Sequence, residues 1–149
     1  TPAEAAHAAG FYAATLPACQ VGRTIAAPAI FPSGRQGEEL TFEFPVLGRA
    51  FVGLNGGPAF KPNEAVSFMV VTEDQTETDR YWTAILGHGG TESACGWCKD
   101  KWGLSWQITP RALTDAIAGP DRAAAQRAFA AMMQMKKIDV AAIEAACRG

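Results

Sequence analysis

The chain has 149 residues, 48% of them hydrophobic, and carries 13 Lys and Arg against 15 Asp and Glu for a net charge of −2. This supports a core without disulfides or metal, and it lacks the basic cluster that a nucleic-acid backbone demands. No apolar run approaches the roughly 20 residues of a membrane span, no basic-then-apolar leader is read, and four cysteines fall short of a secreted disulfide framework, so reduced thiols and a cytoplasmic location are expected.

Residues 3–15 are alanine-rich, and Ala5, Ala8, Ala9, Phe11 and Tyr12 give an apolar face at helical spacing. Pro17 stops that helix. Residues 19–27 read as a short strand, and the prolines and glycines of 28–37 mark a loop. Residues 39–47 alternate, with Leu40, Phe42, Phe44 and Val46 on one side, while Pro45 argues for an edge or a bulge. A turn at Gly48-Arg49 leads into a strand over 50–55.

Residues 64–72 read as another strand. Asp74 is a helix N-cap, with Glu77 completing a capping box, and the helix runs to about Leu86 with Tyr81, Trp82, Ile85 and Leu86 inward. The Gly87-His88-Gly89-Gly90 run breaks it. Strands over 91–98 and 103–109 flank a turn at Asp100–Gly103, so Cys95–Pro110 is expected to form a hairpin lining a pocket. Beyond Pro110 the pattern is helical, with Gly119-Pro120-Asp121 separating two helices. The order is α-β-β-β, then β-α-β-β, then helices. It reads as a degenerate duplication of a βαβββ module, with the second copy's last strand replaced by helices.

Several stretches together resemble a known family. They are Leu54-Asn55-Gly56-Gly57-Pro58, Asn63–Phe68, Asp74-Gln75, Asp79–Trp82, Cys95-Gly96-Trp97, and Lys99-Asp100 with Gly103–Pro110. Met132-Met133, Met135 and Lys137-Ile138-Asp139 continue the match. The chain is similar to the PhnB-like family of the glyoxalase/bleomycin-resistance (vicinal oxygen chelate) superfamily, whose members are often labelled 3-demethylubiquinone-9 3-methyltransferase. The resemblance implies an α+β fold of paired βαβββ modules curling into a mixed-sheet cup, with C-terminal helices, in a homodimer. It implies one domain over 1–149, with a first module at 1–57, a second at 64–110 and helices at 111–149. It also implies an opening strand that this chain does not contain.

The resemblance further implies positions for a divalent metal. A His is expected near Ser67 and a Glu near Gln107, and this chain offers a hydroxyl and an amide there. His7 and His88 belong to no ligand cluster, so neither a metal nor a cofactor is expected.

The Cys95-x-x-Cys98 pair opens no helix and has no second pair to complete a zinc site. Residues three apart in a strand point to opposite faces, so one cysteine is expected in the core and the other toward the cup or solvent, with Cys95 as the candidate reactive thiol. The Gly53-Leu54-Asn55-Gly56-Gly57 run follows a strand but precedes another strand, which is the wrong order for nucleotide-type methyl-donor binding. Trp97, Trp102 and Trp106 crowd one segment. Aromatic walls with a few polar groups suit a small organic ligand, with Asn55, Ser67, Cys95, Trp97, Trp106 and Gln107 as the expected contacts. Two alternatives stand beside this metal-free binding protein. One is an enzyme acting on a small metabolite, metal-assisted or of the methyltransferase type the family label names. The other is a structural or regulatory dimer without a ligand.

Overall fold

The computed structural model describes residues 4–17 and 20–149. Cys19, the first residue of the expected 19–27 strand, lies outside them. The chain divides into two compact units, Thr1–Lys61 and Pro62–Gly149. Together they make an α+β protein with sheets of three and four strands and five helices among the described residues.

The first unit runs α1 (Glu4–Thr15), β1 (Thr24–Ala26), β2 (Glu39–Val46) and β3 (Arg49–Leu54). The strands form an antiparallel sheet in chain order. The alternation in β2 is the expected one, with Phe42, Phe44 and Val46 buried. Tyr12 of α1 stacks on Phe44 at 6.0 Å, and Phe44 on Phe51 at 6.1 Å. Val46 pairs with Arg49, so the turn is Leu47-Gly48, one residue earlier than expected. Both residues have positive φ, 49° and 74°, which matches the twist of a two-residue hairpin. Pro45 lies beyond the Glu39–Phe42 stretch that β1 covers, so β2 is effectively an edge where the missing N–H falls.

The second unit runs β4 (Ser67–Thr72), α2 (Gln75–Gly87), β5 (Thr91–Glu92), β6 (Trp97–Lys99) and β7 (Ser105–Pro110), then α3 (Arg111–Ala118), α4 (Arg122–Met132) and α5 (Val140–Arg148). The sheet order is β4-β7-β6-β5, with β4 parallel to β7 and the other pairs antiparallel. Asp74 caps α2 by accepting from Glu77 N at 2.8 Å, while Glu77 returns a bond from Glu73 N. Residues 64–66 precede β4 rather than belonging to it.

The expected strand over 91–98 is corrected. It is two short strands, β5 and β6, which pair with each other around a turn. The cause is local backbone geometry. Cys95 and Gly96 both have positive φ, 59° and 81°, which no extended strand tolerates. The second module therefore has its full βαβββ complement, and the helices follow its last strand instead of replacing it.

Even-numbered residues of β4 and β7 face α2. Val70, Thr72, Trp106 and Ile108 are buried there with Tyr81, Trp82 and Ile85. Thr72 and Thr78 share a buried hydroxyl–hydroxyl bond of 2.6 Å. A second core of Leu113, Ala128, Ile138 and Ile143 joins α3, α4 and α5 and takes up Cys147. Gln75 links the start of α2 to this layer, accepting from Val140 N at 2.8 Å and donating to the Ile138 carbonyl at 3.2 Å.

Candidate functional site

Odd-numbered residues of the second unit's strands share the opposite face. Met69, Gln107 and Trp97 stand abreast across β4, β7 and β6, so their side chains emerge on one side. Ser67, Ser105 and Lys99 form the row beside them. Gln107 Nε2 donates to Ser67 Oγ at 2.8 Å. The positions where the resemblance places metal ligands are thus brought together, holding an amide and a hydroxyl bonded to each other.

A cavity of about 330 Å³ opens beside this row. The sheet supplies Met69, Trp97, Gln107 and Thr109, the β5–β6 turn supplies Cys95, and the helices supply Leu113, Thr114, Ile117 and Met132. Its walls are mostly apolar, with the Gln107 amide, two Thr side chains and one thiol as polar points. That volume sits at the lower end of small-molecule sites, roughly 300–1,000 Å³, and suits a single-ring compound.

The β5–β6 turn positions two of these groups. Cys95 N donates to the Met135 carbonyl at 2.8 Å, and Gly96 N to the Lys136 carbonyl at 2.7 Å. A Cβ on Gly96 would lie 2.9 Å from the Ile108 carbonyl oxygen and 3.1 Å from Ile138 Cγ1. Only glycine fits between the sheet and the segment joining α4 to α5. The Cys95 thiol contacts Met133 Sδ at 3.7 Å.

Cys98 takes the other face. It pairs with Trp106 across β6 and β7 and is 1% exposed. Burial, reinforced by the Asp100 charge, pushes its thiol up to about 12. It is an inert core residue, while Cys95 lines the cavity, so the pair divides between core and cup as expected.

The three tryptophans of the hairpin part company. Trp97 faces the cavity. Trp106 lies under α2, 3% exposed, where it packs against Phe68 at 5.6 Å and donates from Nε1 to Asp100 Oδ2 at 2.9 Å. Trp102 sits on the turn, with Lys101 Nζ 4.7 Å above its ring and His88 at 5.8 Å. Asp100, 4% exposed, also accepts from Trp102 N and Leu104 N through Oδ1. It organises the hairpin turn, a buried role that the short Lys-Asp-Lys sequence hides.

Of the expected contacts, Ser67, Cys95, Trp97 and Gln107 gather on or beside the cavity face. Trp106 is on the opposite face. Asn55 belongs to the first unit, 7% exposed, where Oδ1 accepts from Ala5 N at 3.2 Å and Nδ2 donates to the Glu39 carbonyl at 2.9 Å. Its amide ties α1 to the sheet. Sequence reasoning missed Thr109, Thr114, Ile117 and Met132. The helical spacing of Leu113 and Ile117 marked an inward face, but nothing in it distinguished cavity lining from core.

Among the described residues, no group of three or more His, Cys, Asp or Glu side chains is arranged to hold a metal. The Gly53–Gly57 run begins in the last two residues of β3 and leads toward β4 without entering a helix, so the turn-to-helix geometry of a nucleotide-type methyl-donor site does not form there.

A βαβββ module with a pocketed open face and helices after its last strand defines the class, an α+β protein of the PhnB-like kind. The chain belongs to the 3-demethylubiquinone-9 3-methyltransferase family, whose model matches residues 2–109. A PhnB protein from Bacillus cereus has a similar fold, with a TM-score of 0.63 and 23% identity, covering 72% of this chain and 91% of that one. A protein from Staphylococcus aureus aligns over 72% of this chain and 86% of its own, with 16% identity and a TM-score of 0.29, too low to bear on the fold. No curated protein matches. The family match ends before α3, so the helical wall of the cavity lies beyond it.

Proposed function

We propose that this chain binds a small single-ring organic molecule on the open face of its second sheet, without a metal. The carrying observation is the cavity of about 330 Å³ that Trp97 and Gln107 share with Ile117 and Met132. An aromatic ring would stack on Trp97 and meet apolar side chains from α3 and α4. A ring oxygen would reach the Gln107 amide or the Thr109 and Thr114 hydroxyls. Ser67 acts through Gln107, holding its amide by the bond between them.

The family description supports a second reading, in which the ring is that of a demethylubiquinone-like phenol or quinone and is the substrate of a reaction. About 330 Å³ admits such a headgroup and leaves any long tail outside. That reading needs a methyl donor or a metal supplied by something other than the residues lining this cavity.

The proposal includes a homodimer in the cytoplasm. β4 is an edge strand, and Val66 just before it is exposed, which favours a covered edge. Cys95, Cys98 and Cys147 are free thiols, which suits a reducing compartment. Light scattering during size-exclusion chromatography tests the dimer.

A thermal-shift screen against single-ring phenols, catechols and quinones tests the binding. A ligand at a hundred times its Kd stabilises by about 2.7 kcal/mol. The expected result is a shift that Trp97→Ala abolishes and Gln107→Leu reduces. If no compound of this class moves the transition, the reading fails.

A further inference from the structure

A second cavity, of about 200 Å³, lies on the other side of Trp97. It is lined by Glu64, Glu92, Trp97, Lys99 and Ser105, among others. Its volume equals that of about seven waters at roughly 30 Å³ each, so its occupant has only a few carbons.

Ser105 marks it as a site. The residue is 1% exposed, and among the described residues its Oγ has no hydrogen-bond partner. A buried hydroxyl left unpaired is costly, and native structures pair nearly all such groups. Ser105 lines this cavity together with Lys99, its partner across β6 and β7.

The charges select the occupant. Lys99 Nζ pairs with Glu64, and Lys136 Nζ with Glu92. The lining thus presents two carboxylates and one ammonium. A simple anion would face both carboxylates, and a simple cation would face Lys99. A molecule carrying both charges complements both signs, because its carboxylate joins Lys99 while its ammonium joins Glu64 or Glu92. Exposed pairs of this kind exchange partners at little cost.

We infer that this cavity binds a small zwitterion of the amino-acid type, with Ser105 Oγ as its buried polar anchor. The inference is independent of the single-ring ligand, since the two cavities share only Trp97.

L-Alanine is titrated into the 15N-labelled protein and compared with its two halves, acetate and ethylammonium. Saturable amide shifts are expected at Trp97, Lys99 and Ser105, at concentrations at least tenfold lower for L-alanine than for either half. Ser105→Ala removes only the unpaired hydroxyl and is expected to fold. It should raise the half-saturation point about tenfold, which is 1.4 kcal/mol, and Lys99→Met and Glu92→Gln should each weaken binding as well. Equal binding of acetate or ethylammonium overturns the inference. So does L-alanine binding that Ser105→Ala leaves unchanged, or no shift at the solubility limit of L-alanine.

Discussion

Gln107 reaches diagonally across the parallel β4–β7 pair and donates to Ser67 Oγ at 2.8 Å. Two neutral groups occupy what the family resemblance makes ligand positions, and each satisfies the other. A divalent ion there would lose that bond and gain no carboxylate or imidazole in exchange. After dialysis against zinc, nickel or manganese, the protein is expected to retain less than one equivalent of any of them. One equivalent by elemental analysis, lost in a Ser67→Ala, Gln107→Leu double variant, would show that the positions still serve a metal.

The Trp106–Asp100 bond is buried and involves a carboxylate. Trp106→Phe keeps most of the ring and removes the N–H donor. Bonds to charged groups contribute about 1.5–3 kcal/mol, and a loss in that range is expected from urea unfolding. Asp100→Ala is expected to cost more, since Trp102 N and Leu104 N lose their acceptor too. Near-zero effects would mean that the turn holds itself by backbone geometry alone.

Gly96→Ala combines a positive-φ position with a close backbone approach. Strain of this kind costs roughly 1–3 kcal/mol, and the overlap with the Ile108 carbonyl adds to it. Gly89→Ala, at φ 89° but 3.5 Å from its nearest neighbour, Lys101 Cβ, is the control for strain without overlap. Gly96→Ala should destabilise more than Gly89→Ala, by differential scanning calorimetry.

Cys98 gives stability an alkaline limit. Its thiol is raised from 9.0 to about 12 in the fold. Below pH 9 both folded and unfolded forms keep the proton, so it contributes no slope. Between pH 9 and 12 only the unfolded form releases it, and stability falls by up to about 1.4 kcal/mol per pH unit. Cys98→Ala should flatten that part of the pH–stability curve. In the native protein below pH 9, mass spectrometry should find Cys98 unalkylated by iodoacetamide while Cys95 reacts.

The sequence made elements with strong local signals legible. The alternation of Phe42, Phe44 and Val46, the Asp74 N-cap and the break at Gly87–Gly90 all lead to what forms, although Glu77 accepts from Glu73 N rather than from the N-cap N–H of a capping box. The stretch around Cys95 was not legible as two strands, because positive φ at a non-glycine residue leaves no compositional trace. Its neighbour Gly96 carried the hint, but a glycine within a strand pattern also marks a bulge. Period-two reasoning gave each strand's faces but could not say which face α2 covers. Trp97 and Trp106 lie on adjacent strands with opposite orientation, and only the register separates ligand face from core. Asn55 stands among turn residues and looks free, yet contacts 16 and 50 residues away consume its amide.

The turn at Cys95–Gly96 does more than present Trp97. Its two amides are the clasp between the sheet and the segment after α4, while Met132, the last residue of α4, lines the same cavity as Trp97. Any molecule gripping both walls therefore also grips the clasp. By linkage, opening the clasp must weaken binding by the same factor by which binding disfavours the open state. Amide hydrogen exchange at Cys95 and Gly96 consequently gauges occupancy of that cavity.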